Sequence, residues 1–345
     1  MPGGIAQGLI WGIMALGIYI TYRLLDVADL TVDGSFTTGG AVAAMLILAG
    51  KPAWFAILVA MLVGMLAGFV TGMLHTKLGI PAILAGILTQ FALYSVNLHI
   101  MGMSANKAIS VDKYSLLLSS RHVPAAIMTG AIIAVIVISL MYWYFGTEQG
   151  SAIRATGNNP AMSRALGINI NNMKVLGLSL SNGIVALSGG LMAQYQGFAD
   201  INMGRGAIVI GLAAVIIGEV IGRATLKKHL NFYGSLSFTV IGGILYYMVV
   251  VIVLWLKLDS NDLKLFTAII VGVFLAVPYL REQSRTSFRR AGKRALLAAS
   301  GEQEALAASG DEEALAEVGV GKVEGASSSG GDTDSDAGEG GTKHA

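Results

Sequence analysis

Four stretches of this chain, Ile5–Tyr22, Ala53–Leu74, Val123–Phe145 and Phe232–Leu256, run the length of a bilayer crossing without one charged side chain. A helix needs roughly 20 apolar residues to cross about 30 Å of hydrocarbon. Two more stretches qualify with polar guests. Ile80–Met101 carries Gln90, Asn97 and His99, and Met173–Gln196 has Lys174 at its edge. Leu265–Leu280 is slightly short, and Phe36–Gly50 and Ala207–Ile221 are shorter still, with the length of half-spans or broken helices. The pattern predicts an all-α polytopic membrane protein of about 8–9 transmembrane or partly spanning helices.

Composition closes off other classes. Of the 345 residues, 54% are hydrophobic and 13% charged, with a mean hydropathy of +0.67. A soluble domain carries about 25% charged residues, which argues against a soluble enzyme. Cysteine is absent, so disulfides, thiolate metal sites and a cysteine nucleophile are ruled out. The five histidines are scattered without metal-ligand spacing. No G-x-x-x-x-G-K-[ST] loop and no nucleophile elbow occurs. The expectation is a chain with no catalytic residues, no metal and no cofactor of its own.

Orientation follows the basic residues. Arg281, Arg285, Arg289, Arg290, Lys293 and Arg294 mark the segment after Leu280 as cytoplasmic. Alternating backward places Arg223, Lys227 and Lys228, then Arg154 and Arg164, then Lys77, then Arg23 on the inside. Nine crossings put the N-terminus outside. Three regions result: a transmembrane domain over 1–280, a basic juxtamembrane segment over 281–299, and an acidic Gly/Ser/Ala-rich tail over 300–345. The basic segment reads as a stop-transfer flank against anionic lipid, not as a nucleic-acid site. The tail includes AASGEQEAL followed by AASGDEEAL (298–306 and 307–315) and has no aromatic residue, so it is expected to be disordered.

The spans are poor in ionisable groups. Glu219 is the one carboxylate read near a span interior, and it is placed to pair with Arg223 four residues on. Ion-coupled carriers keep charged side chains at membrane depth, so this sequence points to a conduit powered by another subunit. Glycines recur at intervals of four in Gly4, Gly8 and Gly12, in Gly64, Gly68 and Gly72, and in Gly218 and Gly222. That spacing reads as close internal helix packing in preference to a dimer seam.

Two polar segments stand out. Asp29–Gly40 reads DLTVDGSFTTGG, in which Ser35, Thr37 or Thr38 is placed to cap a short helix. It is either a broken helix lining a polar path or an ordinary capped loop. Glu148–Asn172 reads EQGSAIRATGNNPAMSRALGININN. Asn159 suits an N-cap, Pro160 the first helical position, and Gly167 a left-handed stop. This predicts a helix of about two turns, either a structured loop or a lever for a partner.

With these residues in view, the chain resembles the permease subunits of ABC importers in the branched-chain amino-acid/ribose-type superfamily. The match is nearest to the uncharacterised group that includes tryptophan- and tyrosine-type importers. The resemblance rests on LTVDGSFTTGGAVAA (30–44), IRATGNNPAMSRALGI (153–168) and LSNGIVALSGGLMAQYQGFADINMGRGAIVIGLAAVIIGEV (180–220). It implies a subunit of a bacterial plasma (inner) membrane that forms the translocation path as a homodimer in the lipid bilayer. A separate ATPase subunit would supply energy and an extracytoplasmic solute-binding protein would deliver substrate, an amino acid or an aromatic one. Asn159, Pro160, Arg164, Ala165, Leu166 and Gly167 would form the ATPase-coupling helix. Candidates for lining the path are Phe36, Thr37, Thr38, Gln90, Asn97, Asn182 and Gln194, although for any one of them a helix–helix contact is the favoured reading. The rival class is a stand-alone secondary transporter, facilitator or channel. The tail has no part in the resemblance, and its side is expected to be cytoplasmic.

Overall fold

The computed structural model describes residues 2–110, 113–225, 231–255 and Gly272, all within the compact unit Met1–Leu280. The apolar run 265–280, apart from Gly272, and the segments expected over 281–299 and 300–345 lie outside the described residues. Among the described residues, seven helices have the length and apolarity to cross a membrane, and an eighth apolar helix is shorter.

Helix α1 (Pro2–Tyr19) continues as a π-helical turn, Ile20–Leu24, and a loop leads to the short α2 (Val32–Leu48). Then follow α3 (Ala53–Thr76), α4 (Ala82–Ile100) and α5 (Val123–Gly146). Pro52 and Pro81 stand in extended conformation immediately before α3 and α4. Proline fixes φ and has no amide to leave orphaned at a helix start, so it sets both beginnings. Helices α6 (Glu148–Asn158) and α7 (Pro160–Ala165) form one end of the bundle, and α8 (Ile170–Gln196), α9 (Ala207–Thr225) and α10 (Phe232–Trp255) complete it. At the other end, β1 (Asn106–Ala108) pairs antiparallel with β2 (Phe198–Asp200), Asn106 opposite Asp200.

The first crossing and α8 are the axis of the bundle: each is 83% buried over its most apolar stretch, against 28% for α4 and α5. Without a hydrophobic drive between helices in lipid, contact energy comes from close backbone approach, and the four-residue glycine spacings supply it. A methyl group on Gly4, Gly8 or Gly12 would meet Val251, Ile244 or Val240 of α10. On Gly64, Gly68 or Gly72 it would meet Ala186, Leu178 or Val175 of α8, at 2.2 Å in the case of the Leu178 carbonyl oxygen. Gly218 lies as close to the Phe238 carbonyl. These glycines therefore serve packing within one chain, as their spacing predicts.

Two expectations change. Helix α2 begins at Val32, ahead of the apolar run, so Ser35, Thr37 and Thr38 lie inside it and do not cap it. Thr37 and Thr38 donate back to the carbonyls of Asp33 and Gly34, four residues earlier. This side-chain bonding is an alternative to capping that helical Ser and Thr commonly adopt. The carboxylate of Asp29 instead accepts from the Thr31 amide at 2.9 Å and closes the turn before the helix. Helix α9 runs to Thr225, past the apolar stretch 207–221, and is long enough to cross.

The expectation of spans without buried acids also fails. Asp29 is 3% exposed and Asp33, on the first turn of α2, is half-buried. Both look like loop residues in the sequence, because the break between α1 and α2 sits within the bundle and not at its rim. Glu219 behaves as its spacing predicts and bonds Arg223, with Arg23 adding a second ion pair at 3.1 Å.

Candidate functional site

The loop after α1 turns back between helices and carries α2 up from a cluster of buried hydroxyls. Thr31 and Thr71 lie 2.8 Å apart, and Thr71 bonds Thr89 at 2.9 Å, joining α3 and α4 to the start of α2. Asn182 of α8 donates to Asp29 at 2.6 Å and accepts from Ser35 at 2.7 Å. Each buried polar group in this cluster has its partner, which is the condition for placing it in a low-dielectric interior.

Above that cluster lies a cavity of about 380 Å³, within the range of small-ligand sites. Helix α2 contributes Asp33, Gly34 and Thr37. Helix α4 contributes Gln90, Tyr94 and Asn97, which share a face at i, i+4 and i+7, with Phe91 beside them. The third wall is Ile201 and Arg205, from the segment joining β2 to α9.

This third wall is anchored by α2. The Asp33 carboxylate accepts from the amides of Gly206 and Ile208, both at 2.9 Å, and Thr37 accepts from Gly204 at 3.1 Å. The first amides of α9 have no partner within their own helix and carry partial positive charge. An aspartate from another helix thus caps α9, so α2 and α9 start against one another. Such a break leaves helix ends inside the bundle, where they are tolerated only if protein or a cavity surrounds them. Of the two readings left open for Asp29–Gly40, the geometry is that of the broken helix.

Three of the expected path residues, Thr37, Gln90 and Asn97, line the cavity. The other four are packed or bonded elsewhere. Phe36 is fully buried and stacks on Trp11 with centroids 5.0 Å apart. Thr38 bonds within its own helix, and Asn182 ties α8 to Asp29 and Ser35. Gln194 accepts from the Leu117 amide at 3.0 Å and fastens the segment before α5. Sequence reasoning missed Asp33, Phe91, Tyr94 and Arg205. Asp33 stood in the polar segment already singled out, and Tyr94 stands one turn from Gln90. Arg205 had no local signal, since its place is fixed by α2.

At the α6–α7 end, the predicted short helix is present. Asn159 accepts from the Met162 amide at 3.0 Å, Pro160 opens α7, and Gly167 adopts φ +81° after it. Only Ser163 of α7 is buried; Met162 and Leu166 are 60% and 68% exposed. The loop is held to the bundle through α6, whose Gly157 packs directly on the Leu24 carbonyl at the end of the π-helical turn.

A membrane bundle with an internal helix break, a half-open cavity that includes polar side chains and a capped helix projecting from one end has the parts of a transport subunit. Residues 1–278 match the family described as the permease component of the branched-chain amino acid transport system. The chain belongs to this permease family. Among its relatives, the tyrosine transport system permease protein of Clostridioides difficile (strain R20291) is 41% identical over 270 residues, 78% of this chain and 88% of that one. An uncharacterised protein of Rickettsia prowazekii (strain Madrid E) is 35% identical over 276 residues, 78% and 94% of the two chains. The autoinducer 2 import system permease protein of Yersinia pseudotuberculosis is 29% identical over 204 residues, 58% of this chain and 56% of that one. No solved structure matches the chain significantly. This permease is a multi-pass membrane protein and the permease component of an ABC-type transport system.

Proposed function

We propose that this permease imports an amino acid, an aromatic one, across a bacterial plasma membrane, powered by a separate ATPase that docks on α7. The observation that carries the reading is the projecting helix: a six-residue helix with both ends capped, presenting Met162 and Leu166 to solvent. An isolated helix this short is not stable alone, so its caps hold a shape whose apolar side chains stay uncovered among the described residues. A groove on an ATPase is the partner such a knob fits. Asn159, Pro160, Arg164, Ala165, Leu166 and Gly167 are its coupling residues. Motion of α7 passes through α6 and Gly157 to the π-helical turn, and so to the break before α2. Thr37, Gln90 and Asn97 line the path there. The name of the tyrosine-transport relative supports the substrate class. A solute-binding protein serves the end bearing β1 and β2, two copies of the permease complete the path, and the segment after 280 is cytoplasmic.

The buried acids favour one rival, an ion-coupled secondary carrier. Against it, Asp29 and Asp33 each accept two hydrogen bonds from protein donors and so already have structural work.

Proteoliposomes holding the full permease with its ATPase and binding protein test the reading. Uptake of labelled L-tyrosine is expected to require ATP and to vanish in Ala165→Glu, which is expected to release the ATPase while still inserting in the membrane. Accumulation driven by a proton or sodium gradient in liposomes holding the permease alone would overturn it.

A further inference from the structure

The cavity between α2, α4 and the segment before α9 holds an uncommon combination of groups. Asp33 lines it, and among the described residues no Lys, Arg or His pairs with this carboxylate. Arg205 lines it too, exposed, and makes no ion pair or side-chain hydrogen bond among the described residues. Asn97 is 1% exposed, and its side-chain carbonyl oxygen finds no donor among the described residues. A buried acceptor without a donor forfeits its solvation, so one left over in a cavity wall marks a place for an incoming N–H or O–H. The rings of Phe91 and Tyr94, 70% and 46% exposed, form an apolar strip on the same α4 face.

We infer that this cavity is a selectivity site for an aromatic α-amino acid zwitterion, with Arg205 on its carboxylate, Asp33 on its ammonium and Phe91 and Tyr94 against its ring. The assignment deepens the proposed import function and rests on it. An acid and a base that meet no opposite charge among the described residues, in one small cavity, suit a ligand carrying both charges at one end. Each carboxylate oxygen of Asp33 already accepts one backbone amide and retains lone-pair capacity for the ammonium. The planar guanidinium of Arg205 suits a carboxylate through paired hydrogen bonds. Asn97 then accepts from the ligand, and the rings favour an aromatic side chain over an aliphatic one through offset or edge-on contact.

Binding of labelled L-tyrosine to the full-length permease in nanodiscs tests this, with unlabelled tyramine, 3-(4-hydroxyphenyl)propionate, L-alanine and D-ribose as competitors. Tyramine lacks the carboxylate and the propionate lacks the ammonium. Each is expected to compete about tenfold or more weakly than L-tyrosine, the equivalent of one charged hydrogen bond. Arg205→Ala is expected to erase the preference over tyramine alone, Asp33→Asn the preference over the propionate alone, and Phe91→Ala the preference over L-alanine. Asp33→Asn also weakens the cap on α9, so Arg205→Ala, at an exposed side chain, keeps the test decisive if that variant does not fold. Three results overturn the assignment: no saturable L-tyrosine binding at millimolar concentration, stronger competition by D-ribose than by L-tyrosine, or unchanged analogue preferences in Arg205→Ala. If ATP-driven tyrosine uptake persists alongside any of these, the site fails and the import function stands; if the complete transporter imports no amino acid, the function fails first.

Discussion

Replacing Asn182 with leucine separates an interior strut from a path-lining residue. Asn182 is fully buried and its amide holds three elements at once. It donates to Asp29 at 2.6 Å and to the Leu178 carbonyl at 2.9 Å, and accepts from Ser35 at 2.7 Å. Leucine keeps the volume and removes all three bonds. Asp29 is then left with Thr31 as its donor among the described residues, and a buried acceptor that loses a donor costs about 1–3 kcal/mol. Ser35 loses its acceptor as well, and relieves part of that by turning back on its own helix. A loss of about 1–3 kcal/mol is a sizeable share of the 5–15 kcal/mol that holds a typical domain folded. The purified variant should therefore melt well below the wild type when followed by tryptophan fluorescence in detergent, while its residual transport keeps the wild-type KM. Asp29→Leu combined with Asn182→Leu should recover part of the loss, because it removes the buried carboxylate together with the donor it would miss. A wild-type melting point for the single variant, or a double variant as unstable as the sum of the two, would refute the reasoning.

Asn97→Leu should behave in the opposite way. It removes an orphan carbonyl, so the melting point should hold or rise, while KM for uptake should increase because the cavity loses an acceptor. Gly68→Val should forfeit a monodisperse peak in size-exclusion chromatography, since even its Cβ would lie 2.2 Å from the Leu178 carbonyl oxygen. That overlap exceeds the ordinary overpacking that costs about 1–3 kcal/mol. Deletion of residues 300–345 should leave ATP-driven uptake near the wild-type rate, measured in the same proteoliposomes.

Much of this architecture is legible along the chain because lipid imposes local rules. A span must satisfy its backbone internally and cover hydrocarbon with its own side chains, so Ala53–Leu74 or Val123–Phe145 declares itself without reference to any other segment. The short projecting helix is equally local: Asn159, Pro160 and Gly167 act within one or two turns of their own positions. Glycines at four-residue intervals disclose that a helix packs closely, though not that Gly68 faces α8 while Gly8 faces α10.

The cavity was only half legible. Gln90 and Asn97 stand out as amides inside an apolar run, and Thr37 as part of a polar one. Asn182 and Gln194 carry the same signal, yet they are spent on Asp29, Ser35 and Leu117. An amide in a span is costly wherever it goes, so its presence says that it has a partner and never says whether the partner is protein or solute. Asp33 and Arg205 are far apart in sequence and come to one cavity because α2 starts deep in the bundle and caps α9 across it. The sequence by itself determined the membrane class, the long uncharged spans and the short projecting helix, since each depends on neighbours a few residues away. Only the tertiary structure decided which polar groups are braced and which face open space, because that depends on what distant helices bring to within 3 Å.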